Sequence, residues 1–181
     1  MDTTLIIIIA IVIAVLVLWF IITSNSLKRA VIKIEEADSD IEVALTKRYS
    51  VLTKMIDVVK GYAKHEKETL FEVVNLRKGM SLQEKQDANK KMDEQFGRIN
   101  VLAENYPELK SSENYNTLQK SIVEVEEHLQ ASRRMYNANV SHYNELISVI
   151  PSNIVAKLQG YTKKEFFEAS EEEKKDVKID L

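Results

Sequence analysis

The sequence predicts an all-α protein, with one N-terminal transmembrane helix followed by an antiparallel, up-and-down four-helix bundle. Three observations carry this expectation. Residues Leu5 to Ile22 form an unbroken apolar run, LIIIIAIVIAVLVLWFII. The 181 residues include only four Gly and two Pro, too few for the many turns of an all-β chain. After the run, apolar residues recur at steps of three and four, the period of a helix with one buried face. The chain accordingly divides into an anchor over 1–24, a helical bundle over 25–168 and a charged, flexible tail over 169–181.

The anchor comes first. Its eighteen residues, at 1.5 Å each, extend roughly 27 Å, close to the thickness of a hydrocarbon core. Trp19 and Phe20 stand at its C-terminal end, where an aromatic belt is expected. A cleaved signal peptide fits less well. Met1 to Thr4 carry Asp2 and no Lys or Arg, and the run exceeds the usual apolar core of such peptides. Lys28, Arg29 and Lys33 follow the run and no basic side chain precedes it. The positive-inside rule therefore places the N-terminus outside the cell membrane and the bundle in the cytoplasm. Ala10 and Ala14 read as ordinary lipid-facing residues.

Beyond the anchor the helix is expected to continue, because no Gly or Pro occurs before Gly61. Val31, Ile34, Ile41, Leu45, Leu52, Met55 and Val59 form its apolar stripe, with Asp38 and Arg48 as polar members. Gly61 marks a break or a kink. A second stretch, Lys64 to Lys78, buries Leu70, Val73 and Val74, and Gly79 suits a C-cap. Ser81-Leu82-Gln83-Glu84 is a capping box that starts a third helix, carrying Ala88, Met92, Phe96, Ile99 and Leu102. Pro107 stops it. Ser111 or Ser112 caps a last long helix. Its stripe runs Tyr115, Leu118, Ile122, Val125, Leu129, Ser132, Tyr136, Asn139, Tyr143, Leu146 and Ile150, ending at Pro151. A second capping box, Thr162-Lys163-Lys164-Glu165, leads to Phe166 and Phe167, two rings expected to fold back onto the bundle.

The chemistry is sparse. There is no Cys, which excludes disulfides, thiolate metal sites and Cys nucleophiles. Outside the anchor, 25 basic residues face 27 acidic ones, leaving no basic excess to attract nucleic acid. The three His lack the Glu-x-x-His pairing of di-iron bundles, because Tyr62, Val125 and Asn139 precede His65, His128 and His142 by three. No phosphate loop, dinucleotide fingerprint or nucleophile elbow is present. Metals and cofactors are therefore not expected, nor is catalysis. Glu84/Lys85, Glu124/Glu126/Glu127 and Glu171 to Lys175 read as solvated helix faces.

Four segments carry a family resemblance. They are Val59-Lys60-Gly61-Tyr62-Ala63-Lys64-His65-Glu66; Glu104-Asn105-Tyr106-Pro107-Glu108-Leu109-Lys110 with Tyr115 and Leu118-Gln119; Arg133-Arg134-Met135-Tyr136-Asn137 with Val140 and Tyr143-Asn144; and Pro151 with Asn153, Ala156, Gly160 and Phe166-Phe167. In order and spacing they resemble the LemA family of bacterial proteins. That resemblance implies one membrane helix, a bromodomain-like four-helix bundle and no assigned activity. The family's genes often neighbour those of membrane proteins with a heat-shock metalloprotease or a phosphatase-like domain, which implies an envelope-associated accessory role. The chain departs from the family where Asp38 replaces a usual Trp. It departs again where Arg48-Tyr49-Ser50-Val51-Leu52-Thr53-Lys54-Met55 replaces a usual Arg-Arg-x-x-Leu-Ile-Pro-Asn.

Asp38, Arg48, Ser132 and Asn139 occupy positions where a bundle favours apolar side chains, so each needs a polar partner inside. Arg48, His65, Glu66, Arg133, Tyr136, Asn137 and Asn144 are the candidate interaction or network residues. Two functions follow. One is a membrane-tethered scaffold or adaptor that binds a membrane or cytoplasmic protein, with homo-oligomers as a further form. The other is a ligand-binding or enzymatic module using a cavity where Arg48, Arg133, Tyr136 and Asn137 converge.

Overall fold

The computed structural model describes residues 3–62 and 76–168. The second helical stretch, except for Leu76 to Lys78, lies outside these residues, as do His65, Glu66 and the tail over 169–181. Among the described residues every regular element is an α-helix: α1 (Thr3–Tyr62), α2 (Leu82–Asn105), α3 (Pro107–Lys110), α4 (Glu113–Leu146) and α5 (Ser152–Leu158).

α1 runs 60 residues without interruption, Gly61 included. Good helix formers and the lack of any Pro allow this. From Leu5 to Ile22 every side chain is exposed except the half-buried Trp19. This part is long and apolar enough to cross a membrane. Past it, the buried face follows a heptad: Leu27, Ile34, Ile41, Arg48 and Met55 at one position, Ala30, Ala37 and Ala44 at another. The expected stripe is shifted at two places. Val31 is only half-buried, and Ala37 rather than Asp38 points fully inward.

α2 begins at the capping box read from sequence. Ser81 Oγ accepts from Glu84 N at 3.3 Å, and the Glu84 carboxylate accepts from Ser81 N at 2.8 Å. α2 ends before Pro107, which opens α3. Ser112 Oγ accepts from Tyr115 N at 3.2 Å and caps α4. α4 stops at Leu146, four residues short of the expected end. Ile150, read as the last stripe member, is 81% exposed. Gly79 adopts φ +76°, a conformation open to glycine, in the turn before α2.

The second proposed capping box does not start a helix: residues 161–168 are irregular. Side chains of α4 hold this segment instead. Tyr143 donates its hydroxyl to Thr162 O at 2.8 Å, Tyr136 donates to Glu165 O at 3.3 Å, and Asn144 both donates to Lys164 O and accepts from Lys164 N at 2.9 Å. Four backbone groups of Thr162 to Glu165 thus bond side chains of α4 without helix formation. Phe167 is buried, whereas Phe166 is 49% exposed, so one ring folds inward and not two.

The chain forms two compact units. The first comprises Met1–Ala37 and Met135–Phe166. Its core gathers Leu27, Val155 and Ala156, with Trp19, Leu146, Ile147 and Tyr161 packed against them. Gln159 Nε2 donates to Ser24 Oγ at 2.8 Å, and Asn139 Nδ2 donates to Lys33 O at 2.9 Å. The second unit comprises Asp38–Arg134 and Phe167–Leu181. In it, Asp38 and Arg48 of α1 pair with Lys85 and with Asn89 and Asp93 of α2, respectively, so the two helices run parallel. Asn100 near the end of α2 meets Tyr115 and Gln119 near the start of α4, so α4 runs antiparallel to α2.

Candidate functional site

Helix periodicity delivers the candidate residues to the interior of the second unit. Arg48 lies one heptad after Ile41 and one before Met55, so its side chain must enter the core; it is 4% exposed. The stripe of α2 extends one step N-terminal of Ala88 and one step C-terminal of Met92. That brings in Lys85 and Gln95, both buried, and Asn89, three residues before Met92, is buried with them alongside Ile99.

Two charged centres result. In the first, the Arg48 guanidinium donates to Asn89 Oδ1 and pairs with Asp93. Glu126 Oε2 of α4 lies 2.9 Å from the same Nη2, an ion pair without hydrogen-bond alignment. The guanidinium carbon sits 5.3 Å from the Phe96 ring centroid, within cation–π range. Asn89 Nδ2 also donates to Asp93 Oδ2 at 3.2 Å, fixing the carboxylate that Arg48 uses. One Arg therefore ties three helices together. In the second centre, Lys85 Nζ lies 2.7 Å from Asp38 Oδ1 and 3.1 Å from Glu42 Oε1. Lys85 is 1% exposed, which corrects its reading as a solvated residue. Its neighbour Glu84 is half-buried, with 41% of its side chain exposed, and pairs with Arg77 at 2.5 Å. Glu126, also read as solvated, is half-buried against Arg48.

An open cleft of about 440 Å³ adjoins the first centre. Arg48, Asn89, Asp93, Phe96, Glu126 and Arg133 line it, with the amides of Asn100, Gln119 and Gln130. Two cations and two carboxylates thus share the cleft without net charge. Arg133 is 7% exposed and stacks on Phe167, 4.9 Å from its centroid.

The candidate residues divide. Arg48 and Arg133 share the cleft; Tyr136 and Asn137 do not line it. Tyr136 is buried and Asn144 half-buried in the first unit, both engaged with the 162–165 backbone. Asn137 is half-buried on α4. His65 and Glu66 fall outside the described residues. The four polar residues in the stripes all find partners: Asp38 with Lys85, Arg48 as above, Ser132 donating to His128 O at 3.0 Å, and Asn139 donating to Lys33 O. Lys85, Asn89 and Asp93 were missing from the candidates. Extending the α2 stripe one helical step before Ala88 would have found Lys85.

Chemically, the site is suited to holding helices in register. Among the described residues no three His, Asp or Glu side chains gather as a metal site. The Glu84 carboxyl is held down at about 2 by the Ser81 backbone amide, then by Arg77 and the Ser81 hydroxyl, on the surface and away from the cleft.

Comparison with known proteins agrees with the sequence resemblance. The LemA family profile matches residues 37–181. Protein LemA of Metamycoplasma hominis is 32% identical over 158 residues, covering 84% of this chain and 72% of that protein. Magnetosome protein MamQ 2 of Paramagnetospirillum magneticum is 35% identical over 73 residues, 40% of this chain and 27% of that protein. Magnetosome protein MamQ of Magnetospirillum gryphiswaldense is 30% identical over 72 residues, so the chain spans about a quarter of the MamQ proteins it matches. The profile match and the extent of the likeness to Protein LemA establish that this chain belongs to the LemA family.

Proposed function

We propose that this LemA-family chain is a single-pass membrane protein that acts as a non-enzymatic scaffold or adaptor, binding a protein partner at the cytoplasmic face. The soluble part is an antiparallel, up-and-down four-helix bundle of the bromodomain-like kind. The parallel run of α1 and α2, each opposed to α4, supports the bundle order, because up-and-down bundles place alternate helices parallel.

One observation carries the scaffold reading: the buried charges are engaged with each other. Arg48 meets Asn89, Asp93 and Glu126, and Lys85 meets Asp38 and Glu42. A catalytic group needs freedom to meet a substrate, whereas these groups fix helix to helix. The surface then supplies the means of recognition. The apolar run at the start of α1 supports anchoring, and Lys28, Arg29 and Lys33 support the cytoplasmic orientation.

The test is photo-crosslinking from exposed Val101 and Met135 in native membranes, at 60% and 58% exposure. The scaffold reading expects a discrete protein adduct that a charge-reversing substitution beside the probe abolishes. Adducts to lipid and abundant bystanders alone would overturn it. Orientation is read separately from a single Val101→Cys in this Cys-free chain. An impermeant thiol reagent should fail to label it in intact cells and should label it after permeabilisation.

A further inference from the structure

The first unit exposes a small apolar ridge that no described residue covers. Val149 is 45% exposed, Ile150 81%, Ile154 52% and Leu158 74%. Ile154 and Leu158 are four residues apart, on one face of α5. The opposite face of α5 is dry: Val155 and Ala156 are buried against Leu27 of α1. A helix of seven residues that buries one face and leaves large aliphatic groups on the other is costly in water.

The position of α5 along α1 shows what covers that ridge. Trp19, in the last turn of the apolar run, packs against the same Leu27–Val155–Ala156 cluster. Gln159, directly after α5, bonds Ser24 two residues past the run. Trp19 to Ile22 is a rise of only about 4.5 Å, so α5 is level with the end of the candidate span. In a membrane this is the headgroup boundary, where Trp belts sit. Exposed Lys28 and Arg29 follow Leu27 on α1, and exposed Lys157 lies on α5 itself. Their long stems can reach headgroup phosphates while the apolar stubs sit below.

We infer that Ile150, Ile154 and Leu158, on the turn before α5 and on α5, insert into the membrane interface as a second, monotopic lipid contact beside the spanning helix. This rests on the anchoring proposed above. Two contacts instead of one restrict how the chain turns about its anchor, because the ridge occupies one side of α1 only. The insertion is shallow, on the order of the 5–10 Å typical of interfacial helices.

The test uses the full chain in vesicles of phosphatidylcholine and phosphatidylglycerol. Three single-cysteine variants, Ile154→Cys, Val12→Cys and Glu36→Cys, carry an environment-sensitive fluorophore. Val12 lies within the apolar run. Glu36 is an exposed α1 residue of the same unit, 14 positions past the end of that run. The expected result is a blue-shifted Ile154→Cys label, quenched by shallow spin-labelled lipid and several-fold less accessible to iodide than the Glu36→Cys label. A Val12→Cys label shielded from iodide beside an Ile154→Cys label as exposed as Glu36→Cys overturns the interfacial contact and leaves the anchor standing. Iodide access to Val12→Cys equal to that of Glu36→Cys overturns both.

Discussion

The Lys85 ammonium lies 2.7 Å from an Asp38 carboxylate oxygen, with the Lys85 side chain 1% exposed and the Asp38 side chain 38% exposed. Glu42, 30% exposed, completes the pair from one turn further along α1. The cation is dry and both anions keep contact with water. Removing the cation leaves carboxylates that water can serve, whereas removing the anions strands a charge in the core. Asp38→Ala with Glu42→Ala is expected to cost about 3–5 kcal/mol, and Lys85→Met about 1 kcal/mol or less. Urea unfolding of the full chain in detergent measures both. Equal costs would show that the burial asymmetry does not govern the pair.

Arg48 is held by shape as well as charge. Its fork serves Asn89, Asp93 and Glu126, and its flat face meets Phe96. Arg48→Ala is expected to lose roughly 2–4 kcal/mol, because Asp93 and Glu126 keep about a third of their exposure and are rehydrated in part. Arg48→Lys should recover less than half of that loss, since an ammonium cannot satisfy the planar set. Full recovery in the same unfolding assay would reduce the site to a point charge.

The cap of α2 carries a pH signature. Glu84 titrates near 2 in the folded chain against an ordinary 4.5. A carboxyl lowered on folding binds fewer protons than in the unfolded chain, so its contribution is complete above about pH 4.5. It is lost as pH falls from there towards 2. Glu84→Gln should flatten this part of the acid-unfolding profile and lower stability by a pH-independent amount above about pH 4.5. An unaltered acid limb would contradict the assignment.

Tyr143 acts at the other end of the scale. Burial, then the neighbouring Tyr161, raises its hydroxyl above the ordinary 10.0. The neutral form is the one that folds well, so its contribution is present below about pH 10 and is lost as pH rises through the folded value. Tyr143→Phe removes the bond to Thr162 O and should cost about 1 kcal/mol while abolishing that alkaline loss. Hydrogen exchange should also quicken at Lys164, whose N–H is held by Asn144 two residues from the lost bond. Unchanged exchange there would show that the segment is held by other contacts.

Legibility followed physics residue by residue. The apolar run, the Ser81–Glu84 capping box and the stop at Pro107 depend on local chemistry, and all were readable. Lys85 was misread because charged and amide side chains cover most of α2, and a charged residue on a stripe looks like its solvated neighbours. Only the partner, Asp38, distant in sequence, distinguishes it. Thr162 to Glu165 have the letters of a capping box, yet α4 side chains compete for their backbone, and no local window shows those side chains. The cleft was half legible: Arg48 stands on the α1 stripe and Arg133 in a run of planar hydrogen-bonding side chains with Tyr136 and Asn137, while Asn89 and Asp93 depend on the register of α2 against α1.

The central claim is that Leu5 to Ile22 tether an otherwise self-sufficient helical protein to a membrane. Alkaline carbonate extraction of cell membranes, comparing the full chain with one lacking residues 5–22, tests it most directly. The full chain is expected to stay in the membrane pellet, while the shortened chain is recovered in the supernatant with its helices intact by circular dichroism. Release of the full chain by carbonate would contradict it.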